Sequence, residues 1–209
     1  MEKLKLLCLH GYKQTGESFR EKTGAFRKCM KKRCEFEFLT APNVIIDGSG
    51  CGWWFSHPDR YFKAKDKSDY DGGFQESLDA VKMFVKTKGP FDGILAFSQG
   101  AAFALLLHLL LEQNLCDLGD FRPRFSILIA PFRSRSSKHL HLYVGRISLP
   151  TLVVYGKTDE VIPSEMTEDI LRIFAPPATV YLHEGGHFIP TNLHAKHAYE
   201  QFLSNFITK

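Results

Sequence analysis

The sequence predicts an α/β fold: a doubly wound, mainly parallel six-stranded sheet with helices on both faces. Six short apolar runs, rich in β-branched or aromatic residues, alternate along the chain with longer stretches of helical period. The chain has 209 residues, of which 44% are hydrophobic, and this composition supplies one substantial core. No internal repeat or low-complexity linker divides the sequence, so we expect a single domain over residues 1–209.

Each apolar run has the character of a strand that is buried on both faces of a parallel sheet. The predicted strands are Leu4–Leu9, Glu35–Leu39, Phe91–Phe97, Phe125–Ile129, Thr151–Tyr155 and Thr179–Leu182. The predicted helices are Ser18–Lys32, Phe74–Lys86, Gln99–Gln113, Ser164–Phe174 and Leu193–Phe206. In such a sheet, functional groups collect in the loops at the carboxyl ends of the strands.

Two long connections interrupt this alternation. Residues 40–72 follow the second strand and include the aromatic run Trp53-Trp54-Phe55, and residues 131–148 follow the fourth strand. Loops of this length are uncommon in a compact domain and are often functional. Both leave from the carboxyl ends of strands, so we expect both to overhang the same site.

The charge pattern argues against a nucleic-acid partner. The net charge is only +4, and most basic residues are interspersed with acidic ones instead of clustering on one face. Two small basic clusters exist, which we interpret as solvated surface: Lys28, Lys31, Lys32 and Arg33, and Arg133, Arg135 and Lys138. The second cluster has an alternative interpretation, a preference for an anionic head group on a ligand.

Cysteine usage and hydropathy predict a cytoplasmic protein without a membrane span. The five cysteines are an odd number without metal-ligand spacing, which is typical of reduced thiols. The apolar stretch after Met1 is too short for a signal peptide. The longest apolar run, Ala101–Leu111, is too short to cross a bilayer and indicates a buried helix.

The pentapeptide Ala96-Phe97-Ser98-Gln99-Gly100 lies between a predicted strand and a predicted helix. A serine flanked two residues away by small residues at such a junction is typical of a strained turn that exposes a nucleophile. The match to G-x-S-x-G is imperfect because Ala96 replaces the first glycine. An ordinary strand-to-helix turn is the alternative.

A serine hydroxyl needs a general base and a group that orients the base. Asp159 follows the fifth predicted strand and is the candidate acid, with capping of a turn as the alternative and Glu160 as a rival. His187 follows the last strand, where the chain order serine, acid, histidine requires the base. His10, His57 and His183 also lie near strand ends or in loops.

The oxyanion that develops during such a reaction needs two N–H donors. The amide of Gln99, at the start of a helix, and the amide of Tyr12, in the loop after the first strand, are the candidates.

No metal is predicted: residues 183–187 match H-E-x-x-H, but paired glycines after a strand disfavour the required helix. Gly48–Gly52 lacks phosphate-loop spacing and is interpreted as a flexible loop. No cofactor is implied.

Several motifs, spread over nearly the whole chain, resemble a known family. They are residues 7–14 (LCLHGYKQ), 19–25 (FREKTGA), 52–55 (GWWF), 89–102 (GPFDGILAFSQGAA), 156–163 (GKTDEVIP) and 185–190 (GGHFIP). In this order they resemble the FSH family of small serine hydrolases, particularly its animal branch of esterases. The resemblance implies an α/β-hydrolase fold with a small cap or none. It also implies the triad Ser98, Asp159 and His187, and hydrolysis of carboxylic esters or thioesters.

The substrate is expected to be a small acyl ester. Trp53, Trp54, Phe55 and Phe132 come from the two long loops and are predicted to line an apolar pocket for a medium or long acyl chain. Packing in a lid or in the core is the alternative. An acyl thioesterase with the same triad is the nearest alternative function, and a non-catalytic binding module is a further one. The chain departs from the family pattern in three places. Ala96 replaces a glycine, Ala130-Pro131-Phe132 replaces Ser-Gly-Phe, and the loop of residues 40–72 is short for the animal branch of the family.

Overall fold

A computed structural model describes residues 3–119 and 121–207 and contains the predicted α/β architecture. The strands are β1 (Leu4–Leu9), β2 (Cys34–Leu39), β3 (Asn43–Val44), β4 (Cys51–Gly52), β5 (Gly93–Phe97), β6 (Phe125–Ile129), β7 (Thr151–Gly156) and β8 (Thr179–His183). The α-helices are α1 (Gly16–Lys22), α2 (Gly24–Met30), α3 (Phe74–Lys88), α4 (Gln99–Glu112), α5 (Ser164–Leu171) and α6 (Leu193–Ser204). A 3-10 helix spans Ser137–Val144.

Six strands form one parallel sheet, as the sequence predicts, and the structure shows their order to be β2-β1-β5-β6-β7-β8. The central strand β5 lies between β1 and β6, with Leu9 opposite Ala96 and Phe97 opposite Ile129. Parallel strands end at one edge of the sheet, so the residues that follow Leu9, Phe97 and Ile129 meet there.

Two apolar layers cover the sheet, one on each face. The first contains α4, which is buried over most of its length, together with residues of α3 and α5. The second contains Phe19 of α1, Phe26 and Met30 of α2, and Tyr199 of α6. Alternate residues of β1 face the two layers, with Leu7 in the first and Leu6 in the second, which explains why the strand is apolar almost throughout. In the described part of the chain, no helix is long and apolar enough to cross a membrane.

The single helix predicted over Ser18–Lys32 is two helices, α1 and α2, with a break at Thr23. The hydroxyl of Thr23 donates a hydrogen bond to the carbonyl of Phe19, 2.8 Å away. Side-chain bonds of this kind compete with the helical hydrogen-bond pattern. Thr23 leaves helical geometry with φ −88° and ψ 10°, and α2 begins at the next residue.

The long connection after β2 is more ordered than its glycine content predicts. Strand β3 pairs antiparallel with β4, so the interpretation of Gly48–Gly52 as a flexible loop is wrong at its C-terminal end. Gly50 has φ +132°, and a Cβ there would lie 2.6 Å from the carbonyl of Lys13. The amide of Lys13 donates to the carbonyl of Cys51, so the β3–β4 hairpin is attached to the loop after β1.

The two long connections are joined to each other by one parallel bridge. The amide of Ser68 donates to the carbonyl of Arg135, and the amide of Ser137 donates to the carbonyl of Ser68. The connection after β2 and the connection after β6 therefore form one continuous layer at the carboxyl edge of the sheet.

The junction of β5 and α4 leaves no room for a side chain at Gly100. A Cβ there would lie 2.5 Å from the carbonyl oxygens of Leu9 and His10. We expect Gly100→Ala to reduce the free energy of unfolding by about 1–3 kcal/mol, because the backbone of β1 must shift to accept the methyl group. Urea denaturation measures the change.

The matched control is Gly24→Ala in α2, where no atom lies within 4 Å of the new Cβ. We expect that variant to be at least as stable as the wild type. Equal stability of both variants would contradict the close packing of α4 against β1.

Candidate active site

Ser98 lies at the turn between β5 and α4 and has the strained backbone angles φ 54° and ψ −120°. Its amide donates to the carbonyl of Ile129, 2.8 Å away, which attaches the turn to β6. The residue is 8% exposed. Ala96, which replaces the first glycine of the motif, is fully buried within β5, so the sheet accommodates its methyl group. Strain at a single serine that is fixed by its neighbours is typical of a functional turn.

The three residues predicted as nucleophile, base and acid meet at the carboxyl edge of the sheet. Nε2 of His187 lies 3.0 Å from Oγ of Ser98, and Nδ1 of His187 lies 2.7 Å from Oδ2 of Asp159. Asp159 follows β7 and His187 follows β8, so each comes from a separate strand end. The three side chains form a continuous hydrogen-bonded relay.

Asp159 is held as a carboxylate although it is buried. Burial alone would raise its pKa, but the hydrogen bond with His187 and two backbone amides outweigh this effect, so its pKa is lowered. The amides of Val161 and Ile162 donate to Oδ1 at 2.9 and 2.8 Å, which leaves Oδ2 for His187. The turn-capping role considered as an alternative for Asp159 is thus performed by one oxygen, while the other contacts the histidine.

The carboxylate of Asp159 also fixes the tautomer of His187. A carboxylate only accepts hydrogen bonds, so Nδ1 of His187 carries the proton and Nε2 is free to accept the hydroxyl proton of Ser98. The ring of Phe97 packs against the imidazole with ring centroids 4.7 Å apart. Phe97 stands beside the serine in the motif, but its contact with His187 was not foreseen from the sequence.

The loops that carry the acid and the base pack closely against each other. The amide of Thr158 donates to the carbonyl of Gly185, 3.2 Å away. A side chain at Gly156 would overlap the carbonyls of Gly185 and Gly186, so Gly156 is required for the approach. The H-E-x-x-H segment lies in these loops: His183 ends β8 and His187 is in the turn beyond it, so the two histidines do not share a helix.

The loop after β1 lies against the serine on the side opposite β6. A Cβ at Gly11 would lie 3.3 Å from Cβ of Ser98, which shows how closely the backbone approaches. Within the described residues, the amides of Tyr12 and Gln99 donate to no other protein group. Free amide donors in such positions are the type of group that an oxyanion hole requires.

The side chain of Gln99 has a structural role that the sequence did not reveal. It is fully buried, its Oε1 accepts from the amide of Trp53 at 3.0 Å, and its Nε2 donates to the carbonyl of Trp54 at 2.7 Å. We refer to these two hydrogen bonds as the Gln99 clamp. The clamp fixes the aromatic segment of the connection after β2 directly beside the nucleophile.

His10 connects the same aromatic segment to the loop after β1. The indole Nε1 of Trp53 donates to the carbonyl of His10 at 2.7 Å, and the amide of Ala41 donates to Nε2 of His10 at 2.9 Å. Nδ1 of His10 therefore carries the proton and donates to the carbonyl of Gly11 at 2.8 Å. Burial lowers the pKa of His10 to about 4, so its ring stays neutral and serves as a structural connector.

The four aromatic residues predicted to line an acyl pocket are packed in the interior. Trp53, Trp54, Phe55 and Phe132 are 0, 1, 3 and 1% exposed, so none of them presents a wall to an open cavity here. The ring of Trp53 stacks on Phe103 of α4 at 4.9 Å. The alternative of packing in the core describes their observed positions, and the Gln99 clamp is the physical reason for the first two.

Trp54, Phe62 and Phe132 form an aromatic layer between the two long connections. Phe62 packs against Trp54 at 5.0 Å and against Phe132 at 6.1 Å, measured between ring centroids. Phe62 also packs against Tyr12 at 5.4 Å, in the loop that carries a candidate oxyanion donor. Phe62 therefore links both long connections to the loop after β1.

The fold and the Ser–His–Asp arrangement at its strand ends define an α/β-hydrolase. The crystal structure of esterase PE8 superposes with a TM-score of 0.68 over 98% of this chain and 93% of its own, at 20% identity. The crystal structure of Zea mays acyl-protein thioesterase 2 superposes with a TM-score of 0.65 over 98% of this chain and 94% of its own, at 16% identity. At these identities, the likeness concerns the fold.

The sequence identifies the family. Residues 1–199 match the family model described as Serine hydrolase (FSH1), and the chain belongs to this family, as its motifs indicate. Esterase OVCA2 of Danio rerio is 44% identical, and the match covers 97% of this chain and 97% of that protein. Esterase CG5412 of Drosophila melanogaster is 41% identical over 98% of this chain and 75% of its own length. The protein is accordingly a serine hydrolase.

Removal of the Gln99 clamp tests its contribution to stability. In Gln99→Ala, the amide of Trp53 and the carbonyl of Trp54 lose their buried partners, and each loss costs about 1–3 kcal/mol. We expect the free energy of unfolding to fall by about 2–6 kcal/mol, measured by urea denaturation followed by tryptophan fluorescence. Gln99→Glu keeps the acceptor for Trp53 but loses the donor for Trp54 and buries a carboxylate, so we expect it also to be less stable than the wild type.

Gln75→Ala is the control, because Gln75 is exposed and its amide bonds only to Asp79. We expect this variant to change stability by less than about 0.5 kcal/mol. A Gln99→Ala variant as stable as Gln75→Ala would show that the clamp contributes nothing.

Proposed function

We propose that the protein is a carboxylesterase in which Ser98 is the nucleophile, His187 the general base and Asp159 the group that orients and stabilises His187. The observation that carries this proposal is the relay from Ser98 to His187 at 3.0 Å and from His187 to Asp159 at 2.7 Å. Nucleophile, base and orienting acid within hydrogen-bond distance are the geometric requirement for covalent hydrolysis.

In the acylation half of the reaction, Oγ of Ser98 bonds to the acyl carbon while Nε2 of His187 takes the hydroxyl proton. The electron pair of the carbonyl moves to its oxygen, which the amides of Tyr12 and Gln99 stabilise by hydrogen bonds. Gln99 is the first residue of α4, so the helix dipole adds to this stabilisation. The bond to the leaving alcohol then breaks, and His187 donates its proton to the alcohol oxygen.

Deacylation repeats these steps with water in place of the serine. Water bonds to the acyl carbon and gives a proton to His187, which then returns it to Oγ of Ser98 as the ester bond breaks. The products are the carboxylic acid and the free enzyme. These side chains supply nucleophile, base and acid themselves, so we propose no cofactor and no metal.

We further propose that the acyl group is apolar and of medium or long chain. The described surface beside the relay carries two exposed apolar side chains: Val161 is 55% and Phe188 50% exposed, and they follow Asp159 and His187 closely in the chain. The layer of Trp54, Phe62 and Phe132 would extend this apolar surface if its rings separated to admit a chain. Burial of each methylene contributes about 0.8 kcal/mol, equivalent to roughly fourfold in kcat/KM.

The partner is proposed to be a small-molecule acyl ester. An acyl thioester is the alternative substrate, because Ser98 attacks both carbonyl types with the same three residues. A binding module without catalysis is disfavoured by the intact relay. We also propose a cytoplasmic location, because all five cysteines are free thiols and such thiols persist in reducing compartments.

A fluorophosphonate probe tests whether Ser98 is the nucleophile. We expect the wild type to be labelled and Ser98→Ala to lose both the label and at least about 10⁴-fold in kcat, because a methyl group cannot form the acyl intermediate. Intact-mass spectrometry measures the label. Labelling that persists in Ser98→Ala would disprove the assignment, and an unlabelled wild type would favour the binding module.

Ser126→Ala is the matched control, because Ser126 is also hydrogen-bonded to a histidine, His108, at 2.7 Å but is fully buried. We expect it to be labelled like the wild type. Loss of the label only in Ser98→Ala then distinguishes the reactive serine from a serine that merely contacts an imidazole.

The acyl preference is tested with p-nitrophenyl acetate, butyrate, octanoate and decanoate, alongside the matching thioesters. We expect kcat/KM to rise with chain length by up to about fourfold per methylene, with esters exceeding thioesters. A decline beyond butyrate would refute the long-chain preference, and thioesters exceeding esters would favour the thioesterase.

A further inference from the structure

A cavity of about 700 Å³ lies between the two long connections. Its walls are residues 56–58 and 67–70 of the connection after β2, and residues 133–140 of the connection after β6. The catalytic mechanism proposed above uses none of these residues. We refer to this space as the inter-loop cavity.

The inter-loop cavity is formed by hydrogen-bonded backbone and is not a chance gap between mobile loops. The parallel bridge at Ser68 joins its two sides. The hydroxyl of Ser68 also donates to the carbonyl of Ser56 at 2.6 Å and accepts from the amide of Tyr70 at 2.9 Å. Both walls are therefore in place before any ligand binds.

The charged side chains of the lining are predominantly cationic. Lys67, Arg133 and Arg135 contribute three positive charges, and Asp69 contributes one negative charge. In the described chain, Lys67 has no carboxylate within ion-pair distance, and the guanidinium of Arg135 donates only to the backbone carbonyl of Lys65, at 3.2 Å. Lys67 and Arg135 thus retain donors for an anionic ligand.

The guanidinium of Arg133 is held in place by protein contacts. It lies over the ring of Tyr143, with 4.6 Å from its central carbon to the ring centroid, and 4.0 Å from the carboxylate of Asp169. Stacking on an aromatic face leaves the edge of the guanidinium available for hydrogen bonds. Arg133 therefore offers a positioned cation, whereas Lys67 and Arg135 are more exposed.

The rest of the lining favours an apolar chain attached to the anion. Pro58, Tyr70 and Leu140 contribute apolar surface, and Leu140 is 45% exposed although it is a large apolar side chain. A small inorganic anion would leave this surface in contact with water. An amphiphilic anion would cover it and pair with the cations at the same time.

The inter-loop cavity lies within reach of the nucleophile. The carbonyl of Ile129 accepts the amide of Ser98, and Arg133 is only four residues further along the chain. Four residues span at most about 14 Å, even when fully extended. One flexible molecule of this length is therefore long enough to span the distance from Ser98 to the lining of the cavity at Arg133.

We propose that the inter-loop cavity binds a carboxylate or phosphate at the end of the ester substrate remote from the scissile bond, with Lys67, Arg133 and Arg135 as its ligands. This inference rests on the proposed esterase activity and adds a substrate class to it: acyl esters that carry an anionic group at the end of an apolar chain. The anion can belong to the acyl part or to the alcohol part, and the experiment distinguishes them.

Three esters of matched size provide the test: butyl octanoate, monobutyl octanedioate with a carboxylate on the acyl chain, and 4-phosphobutyl octanoate with a phosphate on the alcohol. Acid release is followed by titration at constant pH. We expect one of the anionic esters to have a kcat/KM about tenfold above that of the neutral ester. In Lys67→Gln/Arg135→Gln, this ratio should fall at least about fivefold.

Lys63→Gln/Lys65→Gln is the matched control. It removes two positive charges from exposed positions of the same connection, outside the cavity lining. We expect the ratio of anionic to neutral kcat/KM to stay at the wild-type value. An equal fall in both double variants would overturn the proposal, because the effect would then come from general surface charge.

Calorimetric titration with octyl phosphate separates failure of this inference from failure of the proposed function. We expect the wild type and Lys63→Gln/Lys65→Gln to bind octyl phosphate alike, and Lys67→Gln/Arg135→Gln to bind at least about tenfold more weakly. Absence of hydrolysis of all three esters would refute the esterase proposal while this binding test still decides the anion site. Equal binding by all three proteins, or hydrolysis without any preference for an anionic ester, would overturn the anion site alone.

Discussion

The close packing of the start of α4 against the end of β1 is the constraint on which the site depends. Gly100 has no room for a side chain because the carbonyls of Leu9 and His10 lie against it. This contact brings the backbone at Gly11 beside Ser98, and in the described part of the chain the amides of Tyr12 and Gln99 donate to no protein group. The strain at Ser98 is sustained because both neighbours of β5 hold the turn: β1 through this contact, and β6 through the carbonyl of Ile129.

Electrostatics separates the histidines of the molecule into different roles. Burial lowers the pKa of His10 and His108 to about 4, and each contacts a neutral hydrogen-bonding group, a carbonyl or a hydroxyl. His187 instead contacts a carboxylate whose pKa is itself lowered, so a positive charge that forms on its ring during reaction is compensated. A carboxylate at Nδ1 together with a serine hydroxyl at Nε2 thus identifies His187 as the candidate base among the described histidines.

Much of the fold and the meeting of Ser98, Asp159 and His187 could be predicted from the sequence, because hydrophobic period and strand-end position are local patterns. All six predicted strands overlap the strands of the main sheet, and the order serine, acid, histidine requires no knowledge of distant contacts. The break at Thr23 depends on a hydrogen bond that competes with helix formation, and propensity alone does not reveal it.

The features that could not be predicted from the sequence depend on side-chain contacts between residues far apart in the chain. The sequence predicts a role for the backbone amide of Gln99 as an oxyanion donor. In the folded chain, its side chain determines where Trp53 and Trp54 lie, more than forty residues earlier in the chain. An aromatic run in a long loop is compatible with a pocket wall and with core packing, and composition does not distinguish them. The buried hydrogen-bond partners of the segment decide, and these partners are visible only once the chain is folded.

The bridge at Ser68 has a consequence for how such a small enzyme encloses its substrate. Larger enzymes often insert a separate covering domain, whereas here two connections share one pair of backbone hydrogen bonds. Because they are joined between their anchored ends, a displacement of one connection is transmitted to the other. The two connections therefore form one cover that is fixed at its four ends. A substrate enters by displacing both connections together, instead of by lifting one hinged lid.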